Sequence, residues 1–165
     1  MTYLITFSTY GSHLHGDPRG SVNREHNCFK SPMIGENGLL RDSERRSMKD
    51  VPYLLDDRRR AILLSVIQSV CAYREWELFA IHVRTNHVHV VVEARGNPLV
   101  AIQNFKQYGS RALNRAGIDG LSRKRWTEGG SARRLSDRDE RERAIRYVAE
   151  GQGEPMALFV AAIQK

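Results

Sequence analysis

Cysteine is almost missing from this chain, and its scarcity removes two classes of small protein from consideration. The two that occur, Cys28 and Cys71, lie far apart and share no CxxC spacing. Neither a disulfide framework nor a paired-cysteine zinc knuckle is available to them, and a reduced, cytoplasmic setting is the expected one. Long apolar runs are also lacking: nothing approaches the roughly 18 residues that a membrane span needs. The N-terminus has no charged region, apolar core and cleavage site of the secretory kind, so no membrane partner is expected. No internal repeat or low-complexity tract occurs.

What is present is basic charge on an ordinary globular background. Lys and Arg total 26 against 19 Asp and Glu, a net charge of +7, and 41% of residues are hydrophobic. A polyanionic partner is plausible on charge alone. At 165 residues the chain is read as one domain, residues 1–165, able to bury a core without disulfides or a structural metal.

Along the chain, residues 3–10 are aromatic and β-branched and read as a strand ended by Gly11. A loop rich in Gly, Pro, Asp and Asn follows, with His13, His15 and His26. The polar stretch 28–52 looks like an insertion carrying a short helix near 43–49, and His26-x-Cys28 has no second half of a metal site after it. From Asp56, a candidate N-cap, apolar residues recur at helical spacing (Ala61, Leu64, Ile67, Cys71, with a second row at Leu63, Ile67, Val70). Residues 76–83 read as a strand, 84–86 as a tight connection, and 87–93 as its antiparallel return. Asn97 and Pro98 open a helix to about Arg115 that is expected to bury Leu99, Ile102, Phe105, Gly109, Leu113 and Ala116. At about 100° per residue, its Tyr108 stands beside Asn104, Arg111 and Arg115, an amide and two guanidiniums suited to a phosphate.

Arg123, Lys124, Arg125 and Trp126 then set three cations next to an indole, a combination that can pair with phosphates and stack on a base. A short strand is expected at 131–135. Ser136 with Asp139 resembles a capping box that opens a helix to about Glu150, burying Ala144, Ile145, Tyr147 and Val148. The tail, 154–165, is apolar and suited to docking on the body or on a second copy.

The most informative stretch is Asn86-His87-Val88-His89-Val90-Val91-Val92-Glu93. In a strand, His87 and His89 share one face and can converge on one ion or phosphate, while Val88, Val90 and Val92 bury on the other. A helix would set the imidazoles roughly 200° apart, and the β-branched density disfavours one. The element order is that of an α+β, ferredoxin-like βαββαβ sandwich: an antiparallel sheet with helices on one face, plus the insertion and an added C-terminal helix.

Asn86-His87-Val88-His89 followed by valines, with Tyr108 on the next helix in Phe105-Lys106-Gln107-Tyr108, resembles the single-tyrosine HUH transposases of the IS200 type, and among them the REP-associated tyrosine transposases. The resemblance implies metal-dependent nicking and strand transfer on single-stranded or hairpin DNA through a 5′-phosphotyrosine link. It implies His87 and His89 as ligands of Mg²⁺ or Mn²⁺, Tyr108 as the nucleophile, and work in the cytoplasm at the nucleoid. Such enzymes usually complete the metal site one turn after the tyrosine, where this chain has Ala112; Asn104 or Gln107 is the candidate substitute, as third ligand or phosphate contact. Arg111, Arg115, Arg123, Lys124, Arg125 and Trp126 are the candidate DNA contacts. A homodimer is expected, with a monomer the alternative. The competing function is a hairpin-binding protein with a vestigial nuclease site. A metal-dependent hydrolase on another substrate would lack salt-sensitive DNA binding, and a plain RNA-binding sheet would need paired exposed aromatics that are not found here.

Overall fold

A computed structural model describes residues 1–12 and 38–162. The loop and insertion histidines His13, His15 and His26, together with Cys28, lie outside the described residues. The first strand, β1 (Thr2–Ser8), alternates as its composition demands, with Tyr3, Ile5 and Phe7 buried. A helix, α1 (Gly38–Ser47), occupies the end of the insertion, and an extended segment then laces it to the body through hydrogen bonds from Tyr53 N–H to the Tyr10 carbonyl and from Leu55 N–H to that of Thr85.

Helix α2 (Asp57–Tyr73) starts where Asp56 accepts from the Arg59 N–H at 2.9 Å. It buries the row Leu63, Ile67, Val70 and Cys71, while Ala61 faces solvent. Strands β2 (Glu77–Val83) and β3 (His87–Glu93) form the expected hairpin, closed by Arg84 N–H on the His87 carbonyl. Helix α3 (Pro98–Arg115) is capped by the Asn97 side chain on Leu99 N–H. Its first apolar residue, Leu99, is exposed rather than buried and Ala116 only half-buried, because the sheet is reached by the Ala101, Ile102, Phe105 and Leu113 stripe.

Strand β4 (Ser131–Leu135) precedes α4 (Arg138–Glu150). The capping pair sits one residue later than its sequence signature suggests. Asp137 accepts from Glu140 N–H, and the Glu140 carboxylate reaches back to Ser136 N–H, each at 2.7 Å. Helix α4 buries Ala144 and Val148, whereas Tyr147 is 47% exposed and not a core residue. The apolar tail supplies a further strand, β5 (Ala157–Val160), paired with β2.

The strands order β4-β1-β3-β2-β5 with every pairing antiparallel, which is the ferredoxin-like arrangement extended by one edge strand. Both crossover helices, α2 and α3, cover one face of the sheet, where Ile5, Phe7, Ile81, Val83, Val88, Val90 and Val92 pack with Ile67, Phe105 and Leu113. The added helix α4 covers part of the other face, closing a smaller cluster of Ala80, Val91, Leu135, Ala144 and Val148. Among the described residues no helix is long and apolar enough to cross a membrane.

Candidate active site on the histidine face

Pairing register places five side chains in one row across the whole sheet: Ser131, Thr6, His89, His82 and Leu158. They lie on the face away from α2 and α3, and His87 lies one step along β3 on the same face, as strand parity predicts. The His87 and His89 rings are edge to face, with centroids 4.9 Å apart.

Each histidine is oriented by a neighbour. His87 donates from Nδ1–H to the Asn86 side-chain carbonyl at 2.7 Å, so the neutral ring has its lone pair on Nε2. His89 Nδ1 lies 2.8 Å from Thr6 Oγ1 and its Nε2 lies 3.2 Å from Gln152 Oε1. With the Gln152 oxygen accepting, the ring hydrogen is on Nε2 and Thr6 donates to Nδ1. In the other tautomer Thr6 accepts and the Nε2 lone pair turns toward Gln152. Burial, then the nearby His87 charge, lowers the His89 pKa to about 4, so this ring is neutral at pH 7, the form a metal ligand requires.

His82 sits under this pair and is fully buried. Its Nδ1–H donates to the Val148 carbonyl at 2.9 Å and its Nε2 accepts from Met156 N–H at 3.1 Å. It therefore ties β2 to the last turn of α4 and to the start of β5. Burial lowers its pKa as well. Because both rings are neutral when folded and titrate near 6.5 when unfolded, the unfolded chain takes up protons first as pH falls. Stability is therefore expected to be fully present above pH 6.5 and to decline toward pH 4, by up to roughly 3 kcal/mol for His89. Urea melts across this window check it, and a flat profile would contradict it.

The tyrosine in ring contact with His89 is Tyr147. Its ring lies 5.6 Å from that of His89, at 72°. Together with Leu4, Thr6, His89, Ser131 and Arg133 it lines a recess of about 330 Å³. Sequence reading missed it by treating it as part of the apolar stripe. The available signal was its place one residue before Val148 and after two arginines, Arg143 at i−4 and Arg146 at i−1. Gln152, just past the helix end, carried no such signal.

Tyr108, the expected nucleophile, lies on the other face of the sheet. Helix α3 packs on the valine face, and Tyr108 lies against that cluster with the Arg111 guanidinium 5.4 Å from its ring. Within one chain the sheet separates it from His87 and His89. Asn104 is buried on the same far side, accepting from Arg74 at 3.2 Å and donating to the Val100 carbonyl at 2.9 Å. It ties α2 to α3 and does not join the histidines, nor does Gln107, which is exposed on α3. Arg111 and Arg115 are exposed on that helix too.

The segment 123–126 is largely structural. Trp126 packs edge-on to Phe7 at 5.5 Å and donates to the Lys106 carbonyl and to Ser110 Oγ, so its indole is not a platform for bases. Arg125 is 4% exposed and donates to Asp119 and Asn114. Arg123 donates to the Val51 carbonyl and pairs with Asp50. Lys124 alone is exposed, its ammonium 4.7 Å from the Tyr10 ring centroid.

No curated protein matches the chain. One solved structure, described as "Structure of the REP associates tyrosine transposase bound to a REP hairpin", aligns over 89% of this chain at 13% identity with a TM-score of 0.48, and the chain spans 63% of that protein's length. The family model for IS200-like transposases matches residues 48–150, a span that runs from the end of the insertion through β3 to the last residue of α4. The chain belongs to the IS200-like transposase family.

Proposed function

We propose that this chain nicks and rejoins single-stranded DNA through a covalent link to Tyr147, with hairpin DNA of the REP type as its substrate class. The supporting observation is the approach of Tyr147 to the His-x-His pair, 5.6 Å between the Tyr147 and His89 rings, at the rim of a recess open to solvent. The phenol oxygen attacks phosphorus, forming the Tyr–O–P bond as the P–O3′ bond breaks. The electron pair leaves on the 3′ oxygen, which takes up a proton, and the phenol proton passes to solvent. A 3′-hydroxyl attacking the phosphotyrosine reverses every step, so strands can be exchanged.

A phenol with a pKa near 10 is a weak nucleophile at neutral pH. His87, His89 and the Gln152 amide oxygen are the donors that would hold a divalent cation, Mg²⁺ or Mn²⁺. Among the described residues no three His, Cys, Asp or Glu side chains cluster, so the third donor in this reading is a neutral one. Two neutral imidazoles and an amide oxygen suit Mn²⁺ better than Mg²⁺ and leave positions for phosphate oxygens and water. When bound, such an ion supplies Lewis-acid stabilisation of the phosphate worth several kcal/mol.

Thr6 selects the His89 tautomer in this reading. Thr6→Val is expected to weaken Mn²⁺ binding about 10- to 100-fold, and Thr6→Ser to restore it. Titration calorimetry reads both, and unchanged affinity in the valine variant would remove Thr6 from the account. The function itself is tested with a labelled hairpin and Mn²⁺: a denaturant-stable protein–DNA adduct is expected. Hairpin binding with no adduct would favour the competing binding module.

A further inference from the structure

The histidine face carries charge that the proposed chemistry leaves unused. Arg133 pairs with Leu4 and therefore shares the face of Thr6 and His89, whereas its neighbour Arg134, opposite Tyr3, projects to the other. Arg133 lines the recess of about 330 Å³ described above. Tyr147 also lines a second recess, of about 380 Å³, formed with Arg143, Arg146, Glu150 and Gly151. Tyr147 is thus common to both recesses, with Arg133 lining one and Arg143 and Arg146 the other.

Several arginines of the chain are neutralised by carboxylates. Arg59 and Arg125 are paired with Asp119, Arg60 with Asp57, Arg123 with Asp50 and Arg138 with Glu142. Arg133, Arg143 and Arg146 take no carboxylate partner among the described residues. Glu150 is the only acid lining either recess, so each retains a net positive charge. An unpaired guanidinium in a concave wall presents its donor fork to an oxyanion, and phosphate fits that fork.

We propose that the two recesses are phosphate-binding sites that hold one DNA strand astride Tyr147. Arg133 takes the backbone on one side of the reacting phosphate, and Arg143 with Arg146 takes it on the other. The inference rests on Tyr147 as the nucleophile. It specifies a single strand because the backbone must bend around a side chain, which duplex DNA, stiff over about 150 bp, resists.

The test is anisotropy of a fluorescein-labelled oligothymidylate over a range of salt, without metal and in a Tyr147→Phe background, so that no turnover intervenes. Arg133→Gln, Arg143→Gln and Arg146→Gln are each expected to reduce the slope of log affinity against log salt by ~0.7, the share of one phosphate contact on a single strand. Arg134→Gln, the same loss of charge on the opposite face of β4, is expected to leave the slope in place. Equal effects of Arg133→Gln and Arg134→Gln, or no effect of the three, would overturn the proposal. Slope losses as expected, with no covalent adduct from the unsubstituted chain, would keep the phosphate sites and discard the nicking reading. An adduct forming in all three variants at unchanged rate and slope would do the reverse.

Discussion

Tyr147→Phe is expected to abolish the covalent protein–DNA adduct, while Tyr108→Phe leaves it forming at close to the original rate. The asymmetry follows from the sheet. Tyr147 stands on the histidine face with its ring 5.6 Å from that of His89, and Tyr108 packs on the valine cluster behind it. Phenylalanine keeps the ring contact at position 147 and removes only the attacking oxygen, so DNA binding should persist while chemistry stops. Removing the nucleophile of a covalent mechanism leaves no alternative route to the intermediate. Denaturing gels with a labelled hairpin and Mn²⁺ read the outcome, and mobility shifts confirm that binding survives. An adduct that disappears in Tyr108→Phe and persists in Tyr147→Phe would place the chemistry on the other face, in a contact between two chains.

The second large effect concerns stability. Asp119 collects hydrogen bonds from Tyr53, Arg59 and Arg125, with the Arg125 side chain 3% exposed and that of Asp119 9%. Burial works to raise the Asp119 pKa, and the hydrogen bonds from Arg59 and Tyr53 outweigh it and hold the carboxyl below its ordinary range. Burial and the bond to Asp119 push the Tyr53 phenol up. Asp119→Ala leaves the buried Arg125 guanidinium with no counter-charge, while Arg59 keeps only its pair with the exposed Asp56, and is expected to cost about 3–5 kcal/mol, the range for breaking a buried ion pair from one side. Equilibrium unfolding in urea measures this loss. A cost under about 1 kcal/mol, ordinary for an exposed pair, would show that solvent already screens the cluster.

That cluster explains why part of the site was hard to read from sequence. Arg123, Lys124, Arg125 and Trp126 have the composition of a nucleic-acid contact, and nothing local reveals that Asp119 and Asp50 neutralise two of the cations, that Asn114 accepts a further hydrogen bond from Arg125, and that Phe7 claims the indole. Burial is decided by partners distant in sequence. The caps at Asp56 and Asn97, the hairpin and the shared face of His87 and His89 were legible because each depends on periodicity or neighbouring residues.

The separation of Tyr108 from the histidines within one chain has a sharper cause. The same alternation that points His87 and His89 together turns Val88, Val90 and Val92 the other way, and those valines must be buried. In a right-handed βαββαβ sandwich both crossover helices cover that apolar face. Any side chain that α3 buries therefore lies across the sheet from the histidines. In the proposed reaction a helix later in the chain brings the nucleophile to them, and α4 has Arg143, Arg146 and Tyr147 lining a recess there. Strand β5 was unreadable for a simpler reason: its four apolar residues lack alternation, and only pairing with β2 defines them.

The most direct test is to find which side chain carries the DNA. A hairpin cleavage reaction is quenched in denaturant, the adduct is digested with protease and nuclease, and the modified peptide is sequenced by mass spectrometry. The account predicts a nucleotide phosphate on Tyr147, in a peptide from α4. The same mass on Tyr108, or on any residue outside the histidine face, would contradict it.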